Sequence, residues 1–457
     1  MQEKSYKSKD ELLTRANEVI NIPFGEIDKT NRLSNGNNKG GIGQLIEESW
    51  FGLKVNSRPE PDVKNLGIDI KVTPFKKNAK GKKTAKERLV LNIINYMTEV
   101  KFEFDESHFW YKNQKILLLY YEYLKDIRTK DLKILAVHLL EYPEKDLIII
   151  KQDWQKIIKK IKEGKAHELS EGDTLYLGAC TKGAGGDNDY RTQPFNTIKA
   201  KQRAFCLKQS YMTHVLNNYV FKPKGEESIV KDESQLEQLG FEEYIENKFK
   251  PYYGRSQESL ANEFNISLSS KNINNRIVAN ILGVKGNIKD TEEFKKASIT
   301  PKAISISKTG RLEQSVSFPA FDFKEIIEES WEESQAYIMF AETKFLFFIF
   351  DYDKNGTLIF DRIKFWNIPA KDLDEVKKVW LETVKIIKEG VRIWTEKDEN
   401  GKEKTFNNLP GMAFNRVCHV RPHASVKADT NELPDGRSLT KQGFWLGNKY
   451  VLEQITK

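Results

Sequence analysis

The chain repeats itself. "WQKIIKKIKEG", residues 154–164, and "WLETVKIIKEG", residues 380–390, agree in length, in their tryptophan start and in their KEG finish. Both place apolar residues on one stripe of a 3.6-residue period and end on glycine, so each is expected to be an amphipathic helix stopped by that glycine. Upstream, "KILLLYYEY" from Lys115 answers "KFLFFIFDY" from Lys344, runs of a length suited to a buried strand. Downstream, basic loops "GACTKGAGG" from Gly178 and "CHVRPHA" from Cys418 are followed by "KQRAFCLKQSY" from Lys201 and "KQGFWLGNKY" from Lys441. Four matched blocks in one order imply duplication, and a duplicated chain folds as two similar bodies. Between the copies lies the polar stretch "KPKGEESIVKDESQLEQLG", residues 222–240. The expected division is a first domain at 1–225, a linker at 226–240 and a second domain at 241–457. Each half reads as a helix or two, several strands, the long helix and a closing strand–helix unit, a mixed α/β (α+β) class.

A length of 457 residues agrees with two domains of ordinary size. The formal charge of +8, from 74 Lys+Arg against 66 Asp+Glu, suits a chain that meets a polyanion through a local patch, and equally suits many soluble enzymes. The three cysteines, Cys180, Cys206 and Cys418, are odd in number and form no CxxC pair, which argues against a disulfide scaffold or zinc ribbon and for a reducing compartment. Cys418-His419-x3-His423 has no second half and is read as a polar loop. The start "MQEKSYKSKDELL" lacks an apolar core, and runs such as "FLFFIF" at 345–350 are strand-length. The expectation is a cytoplasmic protein without signal peptide or membrane span.

Within the first copy, "PDVKNLGIDIKVTPF", residues 61–75, has the form D-x6-D-x-K. Strand alternation puts Ile68, Ile70 and Val72 on one face and Asp69, Lys71 and Thr73 on the other. The ordinary account is a half-buried strand with an exposed polar face. Aligning "DVKNLGIDIK" with "EFKKASITPK" from Glu293 sets Asp62 against Glu293, Lys71 against Lys302 and Asp69 against Thr300. One copy therefore lacks its second acid. A structural triplet would be expected in both copies; a chemical one can lapse in one. Two carboxylates can hold Mg²⁺, and an adjacent ammonium can orient water and offset charge at a phosphate.

Three segments, "KGGIGQLIEESWFG" (39–52), "PDVKNLGIDIKVTPF" and "SHFWYKNQKILLL" (107–119), resemble the successive motifs of the MutH-type endonucleases, a branch of the PD-(D/E)-x-K nucleases. Over nearly the whole length, including "KERLVLNIINY" and "QDWQKIIKKIKEGKAHELSEG", the chain is similar to the two-domain, GATC-cutting type II restriction endonucleases of that group. The resemblance implies two tandem MutH-like domains, the second degenerate, and Mg²⁺-dependent hydrolysis of double-stranded DNA to 5′-phosphate and 3′-hydroxyl ends. It places the metal-binding acids on Asp62 and Asp69, the motif lysine on Lys71, the helix-borne glutamate on Glu47 and a second lysine on Lys112. In two places the chain departs from the MutH pattern: Asp69 stands where glutamate is usual, and the spacing from the glutamate to Trp50-Phe51-Gly52 is one residue longer, which leaves Glu48 as an alternative to Glu47. By pattern alone Glu47 is a solvated helix flank and Lys112 an edge lysine.

For DNA, "FKKNAKGKKTAK" (75–86) brings six lysines just after the motif strand, able to track phosphates or to form a solvated hairpin tip. In "CTKGAGGDNDYR" (180–191), glycines allow close approach and Lys182 can donate to guanine; the family's base-reading loop falls here, with Cys180 in the place of an arginine. The second copy keeps Arg421 and His423 at the matching loop, with no lysine opposite Lys112. The resemblance thus implies a second domain that binds a further GATC as allosteric effector, without cutting. One centre per chain and a palindromic site require either two chains on DNA or two sequential nicks, and a monomer that dimerises on DNA is expected. The alternatives are a mismatch-repair nicking endonuclease, which the duplication opposes, and a non-cleaving DNA-binding protein with a dead nuclease core.

Overall fold

The computed structural model describes residues 4–34, 41–55, 58–78, 81–183, 186–221, 225–397, 401, 403–426 and 428–456. Met1, Gln2, Glu3, Lys39, Gly40, Ala79, Lys80, Ala184, Gly185, Lys222, Pro223 and Lys224 of the quoted segments lie outside them. The chain divides into two compact units: Met1–Phe241 with Asp290–Ser298, and Glu242–Lys289 with Ile299–Lys457.

The strands of the first unit are β1 (Asp69–Lys77), β2 (Lys83–Ala85), β3 (Leu89–Ile93), β4 (Lys115–Glu122), β5 (Ile134–Glu141), β6 (Leu177–Thr181), β7 (Tyr190–Gln193), β8 (Asn196–Lys201) and β9 (Arg203–Leu207). Its helices used below are α1 (Lys9–Glu18), α2 (Gly41–Leu45), α3 (His108–Asn113), α4 (Glu144–Lys162), α5 (Gln209–Val215) and α6 (Glu292–Lys296). One sheet has the order β2-β1-β4-β5, a second β3-β9-β6, and β7–β8 is a hairpin. In the first sheet β1 runs parallel to β4 with Asp69 opposite Ile116, and β4 antiparallel to β5 with Ile116 opposite Leu140. The unbroken apolar run of β4 is explained by its place: Ile116 to Tyr120 are all fully buried, covered on both faces.

Helix α4 buries Ile149, Ile150, Trp154, Ile157, Ile158 and Ile161, the stripe its sequence period dictates. It ends at Gly164, φ +70°. On the same stripe Asp153 is buried, and its carboxylate accepts from the backbone N–H groups of Leu175, Tyr176 and Leu177 at 2.7–3.0 Å, fixing the chain as it enters β6.

In the second unit the strands are β10 (Ile299–Ser305), β11 (Ser317–Ala320), β12 (Lys344–Tyr352), β13 (Leu358–Trp366), β14 (Ile393–Lys397), β15 (Glu403–Asn407), β16 (Cys418–Pro422), β17 (Thr430–Glu432), β18 (Ser438–Thr440) and β19 (Gln442–Leu446). The helices needed are α7 (Gln335–Glu342), α8 (Ala370–Glu389) and α9 (Asn448–Thr456). The sheets β10-β12-β13 and β11-β19-β16 repeat the plan of β1-β4-β5 and β3-β9-β6. The repetition extends to register. Thr300 lies opposite Phe345 as Asp69 lies opposite Ile116, and the register slips at Ile349/Phe350 as it does at Tyr120/Tyr121. Gly67 and Ser298, which the repeat alignment pairs, share the left-handed conformation, φ +63° and +54°. Tyr211 donates to Asp146 at 3.0 Å near the start of α4, and Tyr450 to Asp372 at 2.8 Å near the start of α8. The β14–β15 hairpin is an addition; at that place the first unit has two short 3-10 turns, Ala166–Glu168 and Glu171–Asp173.

Candidate active site

The site begins with a tight loop. Val63 and Ile68 exchange backbone hydrogen bonds of 2.9 and 3.3 Å around the 3-10 turn Lys64–Leu66, and Gly67 closes it in the left-handed region that a side chain disfavours. The loop folds Asp62 back beside the start of β1, where its carboxylate accepts the N–H of Ile70 at 2.9 Å. Asp69 is fully buried. Lys71 Nζ stands 2.5 Å from its Oδ2 and Lys112 Nζ, from α3, 3.4 Å from its Oδ1. Lys112 also donates to the carbonyls of Glu60 at 3.1 Å and Arg58 at 3.4 Å. The face that carries Asp69 is therefore interior, which corrects the exposed-face account of this strand.

Burial dominates the electrostatics. It pushes the Asp62 carboxyl up to about 6, with the negative charge of Asp69 adding to the effect. Burial likewise pushes Glu47 up to about 7, helped by Asp62 and opposed by Lys71. For Lys71, burial acts to lower the pKa, but the carboxylates of Asp69, Asp62 and Glu47 outweigh it and hold the ammonium above its ordinary value. Three acids and two lysines, taken from α2's continuation, the Asp62 loop, β1 and α3, thus act on one another in a small volume.

The two glutamates separate cleanly in space. Residues Ile46–Trp50 form a π-turn continuing α2, with the N–H of Phe51 donating to the carbonyl of Ile46 at 3.0 Å. Such a turn absorbs one extra residue in a helix, which accounts for the longer spacing before Trp50-Phe51-Gly52. Glu47 faces the cluster, whereas Glu48 is paired with Arg32 at 2.5 Å, and Arg32 also donates to Gln44 at 3.1 Å.

Apart from the two ion pairs, neither oxygen of Asp69 is hydrogen-bonded. Buried oxygens so placed are costly unless something answers them. Two carboxylates that also leave room for water and substrate oxygens fit a hard divalent cation. Among the described residues no cluster of three or more His, Cys, Asp or Glu could hold a metal unaided. A neighbour that sequence reasoning missed is Tyr142, just past β5. Its hydroxyl is buried without a partner, its ring packs on Trp110 of α3, and burial together with the charge of Asp69 raises its pKa. Nothing in its sequence context marks it except its place at a strand end.

Lys182 lies immediately beyond β6, and its backbone N–H donates to Gln202 at 2.8 Å. Four lysines of this segment have partners on their own unit: Lys77 pairs with Glu122 at 2.5 Å, Lys83 lies over Phe221, and Lys76 and Lys86 lie over Tyr123. In the second unit His423 donates its N–H to Lys441 at 2.7 Å, the counterpart of the Lys182 bond. The Arg421 guanidinium lies 4.8 Å from the Trp445 ring, and His423 packs on the same ring. Cys418 and His419 are buried on β16, not in a polar loop, because this edge strand turns Cys418 and Val420 into the apolar core of the second unit; burial and then Arg421 lower the His419 pKa to about 4. Thr300 stands where Asp69 does, so Lys302 has no acid beside it and burial lowers its pKa, with Lys289 adding to the effect. Helix α7, the counterpart of α3, contains no lysine. No described helix is long and apolar enough to cross a membrane.

Residues 51–153 match the family model described as DNA mismatch repair enzyme MutH. A type II restriction enzyme of Staphylococcus aureus, Sau3AI, is 38% identical over 99% of this chain and 99% of its own. DNA mismatch repair proteins MutH of Shewanella woodyi and Actinobacillus pleuropneumoniae are 29% and 27% identical, each over 47% of this chain and 93% and 96% of their own. The repair proteins thus correspond to about one repeat, and the restriction enzyme to both.

Proposed function

The chain belongs to the type II restriction endonucleases of the MutH type, site-specific deoxyribonucleases, and from that membership we propose that it hydrolyses double-stranded DNA at GATC with Mg²⁺, using its first repeat. The observation that carries this reading is the asymmetry of the repeats: Asp62, Asp69 and Lys71 are gathered in one, while Thr300 and an acid-free Lys302 stand in the other. Residues 1–225 are proposed as the catalytic part, 226–240 as a connector and 241–457 as a degenerate DNA-binding part.

Asp62 and Asp69 would hold the cation. When bound, Mg²⁺ neutralises charge at the scissile phosphate and lowers the pKa of water. Lys71 orients the attacking water and offsets the charge that grows on the phosphate oxygens. Lys112 anchors Asp69 to the carbonyls of residues 58 and 60. Glu47, with its pKa near 7, shares a proton at the rim of the site. Water forms the new P–O bond, the P–O3′ bond breaks, and the 3′ oxygen leaves with a proton, giving a 5′-phosphate. Lys182 is proposed to read a guanine edge, and Arg421 and His423 to bind a second GATC whose occupancy favours cleavage. Two chains, monomeric in solution, would pair on DNA to cut both strands. A cytoplasmic location is proposed with this substrate.

The test is plasmid cleavage with Mg²⁺. Wild-type protein is expected to cut plasmids that contain GATC and to spare one in which every GATC is altered, and Asp62→Ala or Lys71→Ala to lose at least about 100-fold in rate. Intact plasmid with wild type would leave a DNA-binding protein only, and nicking without double-strand breaks would favour a repair-type enzyme.

A further inference from the structure

Beyond the loop that carries Lys182, the first repeat has a hairpin, β7–β8, whose chemistry the second repeat does not share. Arg191, Lys199 and Lys201 give residues 190–201 three cations and no acid. Tyr190 lies opposite Lys201, and strand alternation sets Lys199 on the same face, all three exposed. In the counterpart β17–β18, Thr430 lies opposite Thr440, so Thr440 stands for Lys201 and Ser438 for Lys199, and Glu432 and Asp435 are added. The tips differ as well. Pro194 and Phe195 are the turn residues between the paired Gln193 and Asn196, and Phe195 takes the left-handed conformation, φ +63°. A turn with proline second and a positive φ third favours glycine at that third place, and the tip of β17–β18 uses one, Gly436, φ +85°. Phe195 is 81% exposed and Ile198 54%, while Leu433 of the other tip is buried. A strained phenyl ring left in water contributes little to the fold's own packing, and a residue kept at that cost points to a partner outside the chain.

The hairpin is firmly seated. Gln193 is buried; its Oε1 accepts the N–H of Ala166 at 2.8 Å and its Nε2 donates to the carbonyl of Ile198 at 2.5 Å. Asn196 donates to the carbonyl of Gly164 at 2.8 Å, at the end of α4. A Cβ on Gly164 would meet the Phe195 carbonyl at 2.9 Å, whereas one on Gly390, its counterpart, would stand in open space. At its other end the hairpin is tied to both stems of the Lys182 loop. Gln202 donates its N–H to Asp189 at 2.6 Å and accepts that of Lys182 at 2.8 Å, and the Arg191 guanidinium reaches from the Asn188 carbonyl at 2.5 Å to Gln202 Oε1 at 2.9 Å. From that junction the strands extend about 15–20 Å, the length of about five base pairs.

We propose that the β7–β8 hairpin is a further DNA-contact surface of the first repeat, lying along the duplex that flanks GATC: Lys199 and Lys201 pair with its phosphates, and Phe195 and Ile198 pack on its deoxyribose edges. A polyanion is the partner that the hairpin's charge selects, and the tie to the Lys182 loop brings the hairpin to DNA whenever that loop meets a base. The contact is blind to sequence, so it adds affinity and salt dependence without adding base choice. This rests on the proposed cleavage of GATC by the first repeat, with Lys182 at a base edge.

The experiment is single-turnover cleavage by the full-length chain with Mg²⁺, reading the enzyme concentration that gives half the maximal rate. Two duplexes with one GATC each are compared: an ordinary one, and one whose phosphates over about six base pairs on either side of the site are neutral methylphosphonates. The variants are Lys199→Ser/Lys201→Thr, which takes the second repeat's residues at these places, and Phe195→Gly, which suits the left-handed turn and is expected to keep or raise the unfolding temperature. On the ordinary duplex the double variant is expected to need at least about fivefold more enzyme, with a log–log salt slope smaller by about two. Phe195→Gly is expected to need about threefold more. On the neutral-flank duplex the double variant and wild type are expected to coincide, because the contact that the variant removes is already gone. Wild-type behaviour of either variant on the ordinary duplex would overturn the proposal. So would an equal loss by the double variant on both duplexes, which would make a second copy of the chain the hairpin's partner. Failure of wild type to cut either duplex would instead remove the reading of GATC cleavage on which the proposal rests.

Discussion

Charge at the candidate site is set by what each residue is denied. Asp62 and Glu47, near 6 and 7, bind their protons more tightly in the folded chain than in the unfolded one. The stability that each contributes is therefore complete below about pH 4 and lost as pH rises through 6 to 7. Asp62→Asn keeps an acceptor for the Ile70 N–H and removes the charge. Without metal, its stability relative to wild type should improve between pH 5 and pH 8 by about 1–2 kcal/mol, since one pKa unit is worth about 1.4 kcal/mol and the neighbouring acids share the effect. Urea unfolding in EDTA at the two pH values measures this; a constant difference would show that Asp62 carries no such strain. Saturating divalent ion should remove the advantage. The sequence showed that these acids lie close together along the chain, but not that Asp69 is fully buried, because strand alternation distinguishes two faces without saying which of them meets water.

At the level of elements, one extra residue is the instructive case. Its presence before Trp50-Phe51-Gly52 was visible in the sequence and left Glu47 and Glu48 as alternatives. The π-turn over Ile46–Trp50 takes up the insertion, so Glu47 stays on the cluster face while Glu48 turns to Arg32. Glu47→Gln should accordingly lose at least about 100-fold in cleavage rate, and Glu48→Gln should remain within a few fold of wild type. Equal losses in a single-turnover assay would mean that the turn does not discriminate between them. A second case is Asp153. Its carboxylate takes three backbone N–H groups ahead of β6 and the Lys182 loop, and its removal leaves those donors buried and unpaired. Asp153→Ala should cost roughly 2–4 kcal/mol in chemical denaturation, from about 1–3 kcal/mol per unsatisfied group with partial relaxation. A helix pattern alone reads position 153 as a polar interruption, since the donors come from a loop more than twenty residues away.

Across the whole molecule, duplication made one half free to change. If the second repeat binds GATC as an effector, Arg421→Ala with His423→Ala should abolish the stimulation of cleavage by added GATC duplex while leaving measurable cleavage of a plasmid, and should flatten the salt dependence of that stimulation by about one to two contacts. Undiminished stimulation would assign the effector site elsewhere. The amino-acid order alone pointed to two bodies of one plan, to long helices that each stop at a glycine, and to the lack of an acidic counterpart for Asp69. Those features are written in local periodicity and covalent spacing, which survive without knowledge of what packs on what. Tertiary structure alone decided that Asp290–Ser298 serves the first unit, that Tyr142 lies in the field of Asp69, and which glutamate faces the site. Each of these depends on which groups distant in the chain meet in a water-poor interior, where an unmatched charge or hydroxyl must find a partner, and no local pattern encodes that partner's identity.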